Sequence, residues 1–587
     1  MNKFKLILKI KKLFNNLFYK IYNKKLNIFK ILYNKKNIYG DITIIISNNL
    51  EKKFYIKLGN ILKKKINKYI YKYEIKNNYL NIFLKKNFYR KIINDFFKKK
   101  FNINKYIYNI KNNNKLIIVE YSSPNSNKPL HIGHLRNILI GETISNIYKN
   151  IGFKVIKSQI INDRGIHICK AIIAWKLFFK KKKMYKYKKI KGDHFVGKLY
   201  FKFEKEFKKE IKKISKKYNF NKKKSIKNSF LFKKINNELI KWEKKNKKSI
   251  KIWKKINKLV FKGFKKTYNK LNIKFNETIY ESNIYSLGKK KIYESVKKKI
   301  FFFDKKKYIY FLYKKKKIIL LRNNGTSLYL TQDIGNILYR FKKYKKIYLL
   351  IYVVGNEQNF HFKVLFNIIK KLNLSFKNLY HLSYNTVNFL GKKIKSRNGK
   401  NIIFIDNFIY IMYKYVKNIF NLKKKKIKKK IINKISIGTI KYQFLKINPS
   451  KIINFDFEKS LDLKGNTAIY IQYTYVRIYS IINKNNYNLF LIKKKYNSLF
   501  KDNEKDIIIN IIIYYDILLK TSKNYDPSIL INYIFLFSKK INNFYQKNKI
   551  ITNNRYKKNI RLNICKLILS ILSKTMKILG IPILKKM

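Results

Sequence analysis

The amino-acid sequence predicts the α/β fold class: a Rossmann-like parallel-sheet domain, preceded by a small α/β domain and followed by an all-α domain. An all-apolar run at 116–119 and a second strand pattern at 155–161 flank a helical pattern at 131–150, and together they form a βαβ unit. Beyond a lysine run at 423–430 the patterns are helical. A chain of 587 residues is also too long for one hydrophobic core, so several domains are expected.

The first domain is predicted at 1–112. Strand patterns are expected at 41–46 and 53–56, and a basic helix at 86–101. The opening stretch, 1–22, is basic, but it contains neither arginine nor serine. We therefore interpret it as a helix of this domain rather than as a transit peptide.

The second domain is predicted at 113–410. Its βαβ unit is followed by a lysine-rich helical insertion at about 176–300, which separates two halves of the sheet. Strand patterns return at 318–321 and 347–354. The third domain, at 411–587, is predicted to be α-helical to the end of the chain.

The composition excludes several classes of protein. The formal net charge is +112, yet 46% of the residues are apolar, unlike a disordered basic tail. The two cysteines, Cys169 and Cys565, lie far apart, so neither a disulfide scaffold nor a cysteine-based metal site is expected. No run of eighteen uncharged apolar residues occurs, so no membrane span is predicted.

The basic excess mainly reflects a biased composition. Only nine of the 140 basic residues are arginine, and the abundant residues Lys, Asn, Ile, Tyr and Phe share A- and T-rich codons. Most of the charge is therefore interpreted as a solvated lysine surface, which still attracts phosphate in a salt-dependent way. Under such a bias, the rarer residue types are the most informative.

Two of the six histidines lie three residues apart, in the stretch His131-Ile132-Gly133-His134 at the predicted start of the βαβ helix. This spacing places both rings on one helical face. A helix N-terminus offers free N–H groups and a positive dipole end, which favour phosphate. Gly133 leaves room for a flat ring to approach the backbone. The pattern predicts a phosphate-binding site.

These four residues match the HIGH motif of class I aminoacyl-tRNA synthetases, and the surrounding stretches 120–125 and 128–129 resemble the arginyl-tRNA synthetase family. Further stretches are similar to that family in the same order along the chain, at 162–167, 325–335, 355–361, 465–477 and 579–582. The resemblance therefore covers nearly the whole chain. It implies a class I Rossmann catalytic domain, an N-terminal tRNA-contacting domain and an α-helical anticodon-binding domain.

The resemblance implies that arginine is activated with ATP and then transferred to its tRNA. The catalytic residues would be His131, His134, Lys128 and Lys393. ATP would be bound by His131, Gly133, His134, Lys393 and Ser396, with Mg²⁺ as its counter-ion. The family's second motif, KMSKS, would fall at 393–397, where Ser396 occupies the place of the second lysine; Lys128 looks like the substitute cation.

Arginine recognition gives an independent check. A guanidinium group prefers carboxylate acceptors, and carboxylates are rare in this chain. Tyr329 and Asp333 are spaced i, i+4, so one helical turn aims both into a pocket. By the resemblance, Glu120 and Asn125 hold the polar backbone end of the amino acid, while Tyr329 and Asp333 contact its side chain. Gln358 lies at a matching position of a later stretch and is also expected to bind arginine.

The expected partners are tRNA-Arg, arginine and ATP, and the protein is expected to be a cytoplasmic monomer. Lysine-rich faces supply affinity for RNA without reading its sequence. Reading of anticodon-loop bases uses aromatic stacking and side-chain hydrogen bonds. The start of the helical domain has that mixture, in the residues Gln472, Tyr473, Tyr475 and Arg477, although packing in the core explains each tyrosine equally well.

Two alternatives remain open. A class I synthetase for another amino acid shares the histidine pair but lacks the carboxylates Glu120 and Asp333. A non-catalytic tRNA-binding relic keeps the basic surface and the aromatic residues, but it has no reason to retain both histidines with the glycine between them.

Overall fold

The architecture consists of an antiparallel sheet with three helices near the N-terminus, a central parallel sheet covered by helices, and a C-terminal set of helices. Within the described ranges, no helix is both long and apolar enough to cross a bilayer. The computed structural model describes residues 3–22, 29–33, 40–46, 52–76, 79–98, 114–179, 190–304, 307–323, 325–344, 346–374, 378–389, 392–393, 403–422, 428–485 and 490–587.

The N-terminal elements form a four-stranded antiparallel sheet with the order β1-β2-β4-β3. These elements are α1 (Lys3–Tyr22), β1 (Phe29–Tyr33), β2 (Ile42–Ile46), α2 (Lys52–Lys65), β3 (Ile70–Lys76), β4 (Tyr79–Leu84) and α3 (Lys86–Lys98). The strand predicted at 53–56 is wrong, since these residues lie in α2. The buried Tyr55, Leu58 and Leu62 recur at helical spacing, and this longer apolar stripe prevails over local strand preference.

The central part of the chain alternates strands and helices. In chain order its elements are β5 (Leu116–Glu120), α4 (Ile132–Asn150), β6 (Lys154–Ile161), α5 (Ile166–Phe178), α6 (Gly192–Tyr218), α7 (Lys222–Asn228), α8 (Phe230–Glu243), α9 (Lys247–Lys270), β7 (Glu277–Tyr280), α10 (Glu281–Lys297), β8 (Phe302–Phe303), β9 (Ile309–Tyr313), β10 (Lys316–Leu321), α11 (Tyr329–Lys343), β11 (Ile347–Gly355), α12 (Asn359–Lys371), β12 (Leu379–Tyr384), β13 (Val387–Phe389) and β14 (Lys392–Lys393).

Five of these strands form a parallel sheet with the order β12-β11-β5-β6-β7. The middle strand, β5, is nearly completely buried, as its apolar sequence predicts. The chain leaves β5 for β6 through α4 and later returns on the other side to β11, so the strand order reverses next to β5. Ligands bind beyond the carboxyl ends of the strands at such a point. The predicted Rossmann-like class is confirmed.

The insertion and one strand differ from expectation. The segment predicted as an insertion at about 176–300 contains β7, an edge strand of the parallel sheet, which is only four residues long. The residues 318–321 lie in β10, which pairs with β9 in a separate antiparallel sheet of three strands. Exposed residues occupy much of β10, whereas a strand within a parallel sheet is covered on both faces.

In its described ranges, the C-terminal part consists of helices and one short strand. Its elements are α13 (Ile405–Leu422), α14 (Lys429–Leu445), β15 (Ile453–Phe455), α15 (Ala468–Lys484), α16 (Asp502–Asn524), α17 (Ser528–Lys547) and α18 (Arg555–Leu579). β15 falls inside the region predicted to be all-α and pairs in parallel with β13. The helices α14, α16 and α18 pack against α4. Asn146 of α4, for example, donates to the carbonyl of Ile578 at 3.1 Å.

Candidate active site

The histidine pair forms the N-terminal cap of α4. Nδ1 of His131 accepts a hydrogen bond from the Gly133 amide at 3.2 Å, and Nδ1 of His134 accepts one from the His131 amide at 3.1 Å. The two rings lie 3.9 Å apart between centroids. Because each Nδ1 is an acceptor, each neutral ring carries its proton on Nε2 and can donate it to a ligand.

Burial and neighbouring charge keep both rings neutral. Burial, with the ammonium group of Lys128, lowers the pKa of His131 to about 3. Burial, with His131 and Lys128, lowers the pKa of His134 well below its usual value. A Cβ added at Gly133 would lie 3.1 Å from the His131 ring, so a glycine allows the ring to close over the helix start.

The segment that enters α13 lies beside this cap. The Ile132 amide donates to the carbonyl of Ile403 at 3.1 Å, and the Ile405 amide donates to the carbonyl of Leu130 at 3.0 Å. This segment follows the stretch in which the sequence places Lys393 and Ser396. The backbone of Lys393 lies in β14, whereas Ser396 lies outside the described residues.

A cavity of about 300 Å³ opens at the carboxyl end of the parallel sheet. All five residues predicted to bind arginine line it: Glu120, Asn125, Tyr329, Asp333 and Gln358. Residues far apart in the sequence therefore meet, because β5, the start of α11 and the end of β11 converge there. Sequence reasoning missed other lining residues, which are Ser123, Asn162, Glu281, Gln332 and His361.

Glu120 is buried and already has partners. Its Oε2 atom lies 2.6 Å from Nη1 of Arg340 and accepts a hydrogen bond from Nδ2 of Asn336 at 3.0 Å. Burial raises the pKa of the Glu120 carboxyl group, and the Arg340 guanidinium opposes that rise. Both of these contacts use the same oxygen, so Oε1 is the atom through which Glu120 can meet a ligand in the cavity.

The end of the cavity formed by Asp333, Tyr329 and Glu281 is acidic and partly open. Asp333 accepts from Nε2 of His361 at 2.5 Å. Tyr329, one helical turn earlier, is 63% exposed at the rim. Glu281 is the first residue of α10, and burial raises its pKa to about 8 even though Arg164 opposes the shift. Asp163 and Asp333 raise the pKa of Glu281 further through like charge.

The sequence contained a weak signal for Glu281. It is a rare carboxylate that directly follows a strand, but the strand, β7, was hidden inside the predicted insertion. Four apolar and polar residues do not display a clear period, so the strand and the site residue after it were missed together.

The four residues expected to contact tRNA separate into two pairs. Gln472 is buried and donates to the carbonyl of Pro582 at 2.9 Å, and Tyr475 is also buried. Neither side chain reaches RNA without leaving the core, so the structure contradicts that role for both. Tyr473 and Arg477 face outward on α15, and the Arg477 guanidinium lies over the rings of Tyr473 and Tyr545 at 4.7 Å.

Among the residues that the structure describes, one cluster has the composition of a metal site: Asp193, His194 and Asp406. Two ammonium groups already neutralise Asp406, with Lys191 at 2.6 Å and Lys270 at 2.8 Å. These ion pairs hold the pKa of the Asp406 carboxyl group far below its usual value. Such a cationic surrounding suits an ion-pair junction better than a bound cation.

Comparison with known proteins agrees with this geometry. Residues 98–458 match the family model described as "tRNA synthetases class I (R), catalytic domain", and residues 471–587 match the "DALR anticodon binding domain". The arginine–tRNA ligase of Borrelia garinii is 38% identical over 576 residues, covering 94% of this chain and 93% of the relative. That of Flavobacterium psychrophilum is 34% identical over 543 residues, with 90% and 88% covered.

Solved structures show the same fold. The arginyl-tRNA synthetase of Thermus thermophilus aligns with a TM-score of 0.77 at 17% identity, covering 99% of each chain. That of Plasmodium falciparum aligns with a TM-score of 0.77 at 22% identity, covering 99% of this chain and 98% of the other. From the family-model match and the curated relatives together, this chain belongs to the arginyl-tRNA synthetase family of class I aminoacyl-tRNA synthetases.

Proposed function

We propose that the chain is an ATP-dependent arginine–tRNA ligase, which forms arginyl-adenylate and transfers the arginyl group to tRNA-Arg. One observation carries the proposal: the segment after β5 supplies both the histidine cap and a wall of the carboxylate-lined cavity. Joining a cationic amino acid to a nucleotide requires these two sites side by side. The curated relatives are named for the same reaction, which supports the proposal.

In the activation step, a carboxylate oxygen of arginine attacks the α-phosphorus of ATP. The new O–P bond forms as the bond to pyrophosphate breaks, and negative charge builds on the phosphoryl oxygens. The Nε2–H groups of His131 and His134 are the donors to these oxygens, and the positive dipole end of α4 favours the growing negative charge. The attacking carboxylate is already ionised, so no general base is needed.

We assign the cations Lys128 and Lys393 to the departing pyrophosphate. Mg²⁺ would enter on the ATP phosphates, where it neutralises charge. Among the described residues, the cluster of Asp193, His194 and Asp406 is already paired with two lysine ammonium groups. We therefore do not assign the Mg²⁺ ion to that cluster. Gly133 and Ser396 remain predicted ATP contacts.

We assign the two ends of the substrate to the two ends of the cavity. Oε1 of Glu120 and the amide of Asn125 would take the α-ammonium and carboxylate end. The guanidinium would lie between Asp333 and Glu281, which supply paired acceptors, with Tyr329 and Gln358 beside it. Ionisation of Glu281 would accompany binding, because a guanidinium stabilises the carboxylate.

For tRNA, the outward pair Tyr473 and Arg477 is our proposed contact of the helical domain. The division into 1–112, 113–410 and 411–587 stays a prediction, with β15 returning to the sheet of β13. A monomeric state and a cytoplasmic location also stay predictions.

Pyrophosphate exchange across the twenty amino acids, with and without tRNA, tests the function. Arginine-dependent exchange is the expected result. Exchange that depends on another amino acid would make the chain a class I synthetase of different specificity. Complete absence of exchange, together with retained tRNA binding, would favour the non-catalytic relic.

A further inference from the structure

Arg136 lies on α4, two residues after His134, and its side chain is completely buried. Its guanidinium group donates to five main-chain carbonyls. Nη1 reaches Asn385 at 2.7 Å and Thr386 at 3.0 Å. Nη2 reaches the carbonyls of Asn448 at 3.1 Å, Pro449 at 3.2 Å and Lys451 at 2.7 Å.

The two groups of carbonyls belong to two chain segments that run side by side at this point. The first, 385–386, joins β12 to β13, and the second, 448–451, leads into β15. The segments also bond to each other: the Asn385 amide donates to the carbonyl of Pro449 at 2.9 Å, and the Ile453 amide donates to that of Thr386 at 3.1 Å. Arg136 therefore links both segments, 385–386 and 448–451, to α4.

The two segments lead into the strands β13 and β15, and β13 pairs with β14, the strand that carries Lys393. β13 pairs in parallel with β15 and in antiparallel orientation with β14, where Asn388 faces Lys393 across the ladder. The histidine pair caps the same helix from which Arg136 projects. One rigid element thus sets the relative position of the histidine rings and the Lys393 backbone.

The charge of Arg136 is not matched by an acid. Among the described residues, no carboxylate forms an ion pair with it, and burial lowers its pKa to about 10, so it stays protonated at neutral pH. Five carbonyl dipoles replace the counter-ion, and both Nη atoms are needed to reach the two segments. A lysine has one donor nitrogen and lacks the planar fork.

We infer that Arg136 is a positioning residue for the activation step: it holds the sheet that carries Lys393 in register with His131 and His134. The inference rests on the proposed function, because Lys393 matters here through the departing pyrophosphate. Arg136 is not among the residues that line the cavity, and its five side-chain hydrogen bonds go to main-chain carbonyls outside that lining. Loss of Arg136 should therefore lower kcat/KM for ATP and leave the affinity for arginine unchanged.

The test compares Arg136→Lys with Arg561→Lys in the full-length protein. Arg561 is an equally buried arginine of the helical domain, where it pairs with Glu504 at 2.8 Å. For Arg136→Lys we expect kcat/KM for ATP in arginine-dependent exchange to fall by about 10²-fold, the scale of a misplaced catalytic group. The arginine Kd, measured calorimetrically without ATP, should change less than about threefold, within ordinary contextual variation.

Arg561→Lys should lower the melting temperature without changing the ATP constants. If Arg136→Lys does not fold, Arg136→Gln, a neutral variant with two amide donors, carries the same test. An unchanged kcat/KM for ATP, or equal losses for ATP and arginine in proportion to lost stability, would overturn the inference. Absence of arginine-dependent exchange in the unsubstituted protein would instead overturn the proposed function, so the two failures are distinct.

Discussion

Nε2 of His361 lies 2.5 Å from Oδ2 of Asp333, so the cavity contains a hydrogen-bonded histidine–carboxylate pair at its acidic end. His361 is in the first turn of α12 and Asp333 in the first two turns of α11. The pairing orients the carboxylate before any ligand arrives. Oδ2 accepts this hydrogen bond, and the other carboxylate oxygen, Oδ1, is the one that we propose as an acceptor for the guanidinium.

Asp333→Asn should raise the KM for arginine by about 10- to 100-fold, the scale of one hydrogen bond to a charged group, while the KM for ATP changes little. The amide keeps the shape of the side chain but loses the charge that attracts a guanidinium. Steady-state pyrophosphate exchange with each substrate varied in turn measures both constants.

The matched control is Asp304→Asn, which removes a carboxylate that pairs with Lys317 outside the cavity. It should leave both constants unchanged. Equal rises in the two KM values for Asp333→Asn would remove this residue from the guanidinium pocket.

His134→Ala should slow adenylate formation by about 10²- to 10³-fold, the cost of losing one donor to the transition state. The ring also caps the His131 amide, so a small loss of stability is expected as well. Single-turnover formation of arginyl-adenylate measures the chemical step, and filter binding checks that tRNA affinity persists. His167→Ala, at an exposed histidine of α5, should leave the rate unaltered. An unaffected rate in His134→Ala would refute the proposed donor role.

The parts of the fold that could be predicted are those with long periodic patterns. The strands β5 and β11 follow from residue pattern alone, because burial on both faces favours long apolar runs, and the helix α4 follows from its helical spacing of apolar residues. The four-residue β7 could not be found in the same way. Its pattern is too short, and its place at the edge of the sheet depends on pairing with a strand more than a hundred residues away.

The same reasoning applies to the site. Tyr329 and Asp333 could be predicted from the sequence because their spacing matches one helical turn, and this turn does begin α11. The pairing of Glu120 with Arg340 could not be predicted, because more than two hundred residues separate them in the sequence and only the fold brings them together. The burial of Gln472 and Tyr475 could not be predicted for a related reason. When apolar residues lie around much of a helix, its sequence does not show which polar side chains face inward.

Arginine should bind more tightly as the pH rises from about 6 to 8. Glu281 has a pKa of about 8, so its carboxyl group is largely protonated in the free protein below that pH. A bound guanidinium favours the ionised form, so binding releases a proton, and the affinity rises by up to about tenfold per pH unit in this window. Arg164 favours the charged form of Glu281, whereas Asp163 and Asp333 oppose it.

For the stability of the free protein the sign is opposite. A carboxyl group whose folded pKa is raised contributes stability below its unfolded pKa, and this contribution is lost as the pH rises through about 8. Calorimetric titration with arginine in buffers of different ionisation enthalpy measures both affinity and proton release. Glu281→Gln should abolish the release and flatten the pH profile. A profile that keeps its slope in Glu281→Gln would assign the proton to another group.

Arg477→Ala should raise the KM for tRNA in aminoacylation while leaving arginine activation unchanged. The guanidinium lies over the exposed Tyr473 ring and donates to its hydroxyl group at 2.9 Å, so its removal disturbs a ready stacking surface. Stacking of a base on an aromatic side chain contributes about 1–3 kcal/mol, so a rise in KM of roughly 5- to 150-fold is expected. The control is Arg555→Ala, which removes the charge of an exposed arginine at the start of α18. Loss of one phosphate contact alone lowers affinity modestly and reduces the salt dependence in both variants. An effect of Arg477→Ala no larger than that of Arg555→Ala, at two salt concentrations, would mean that this surface attracts RNA only through its charge.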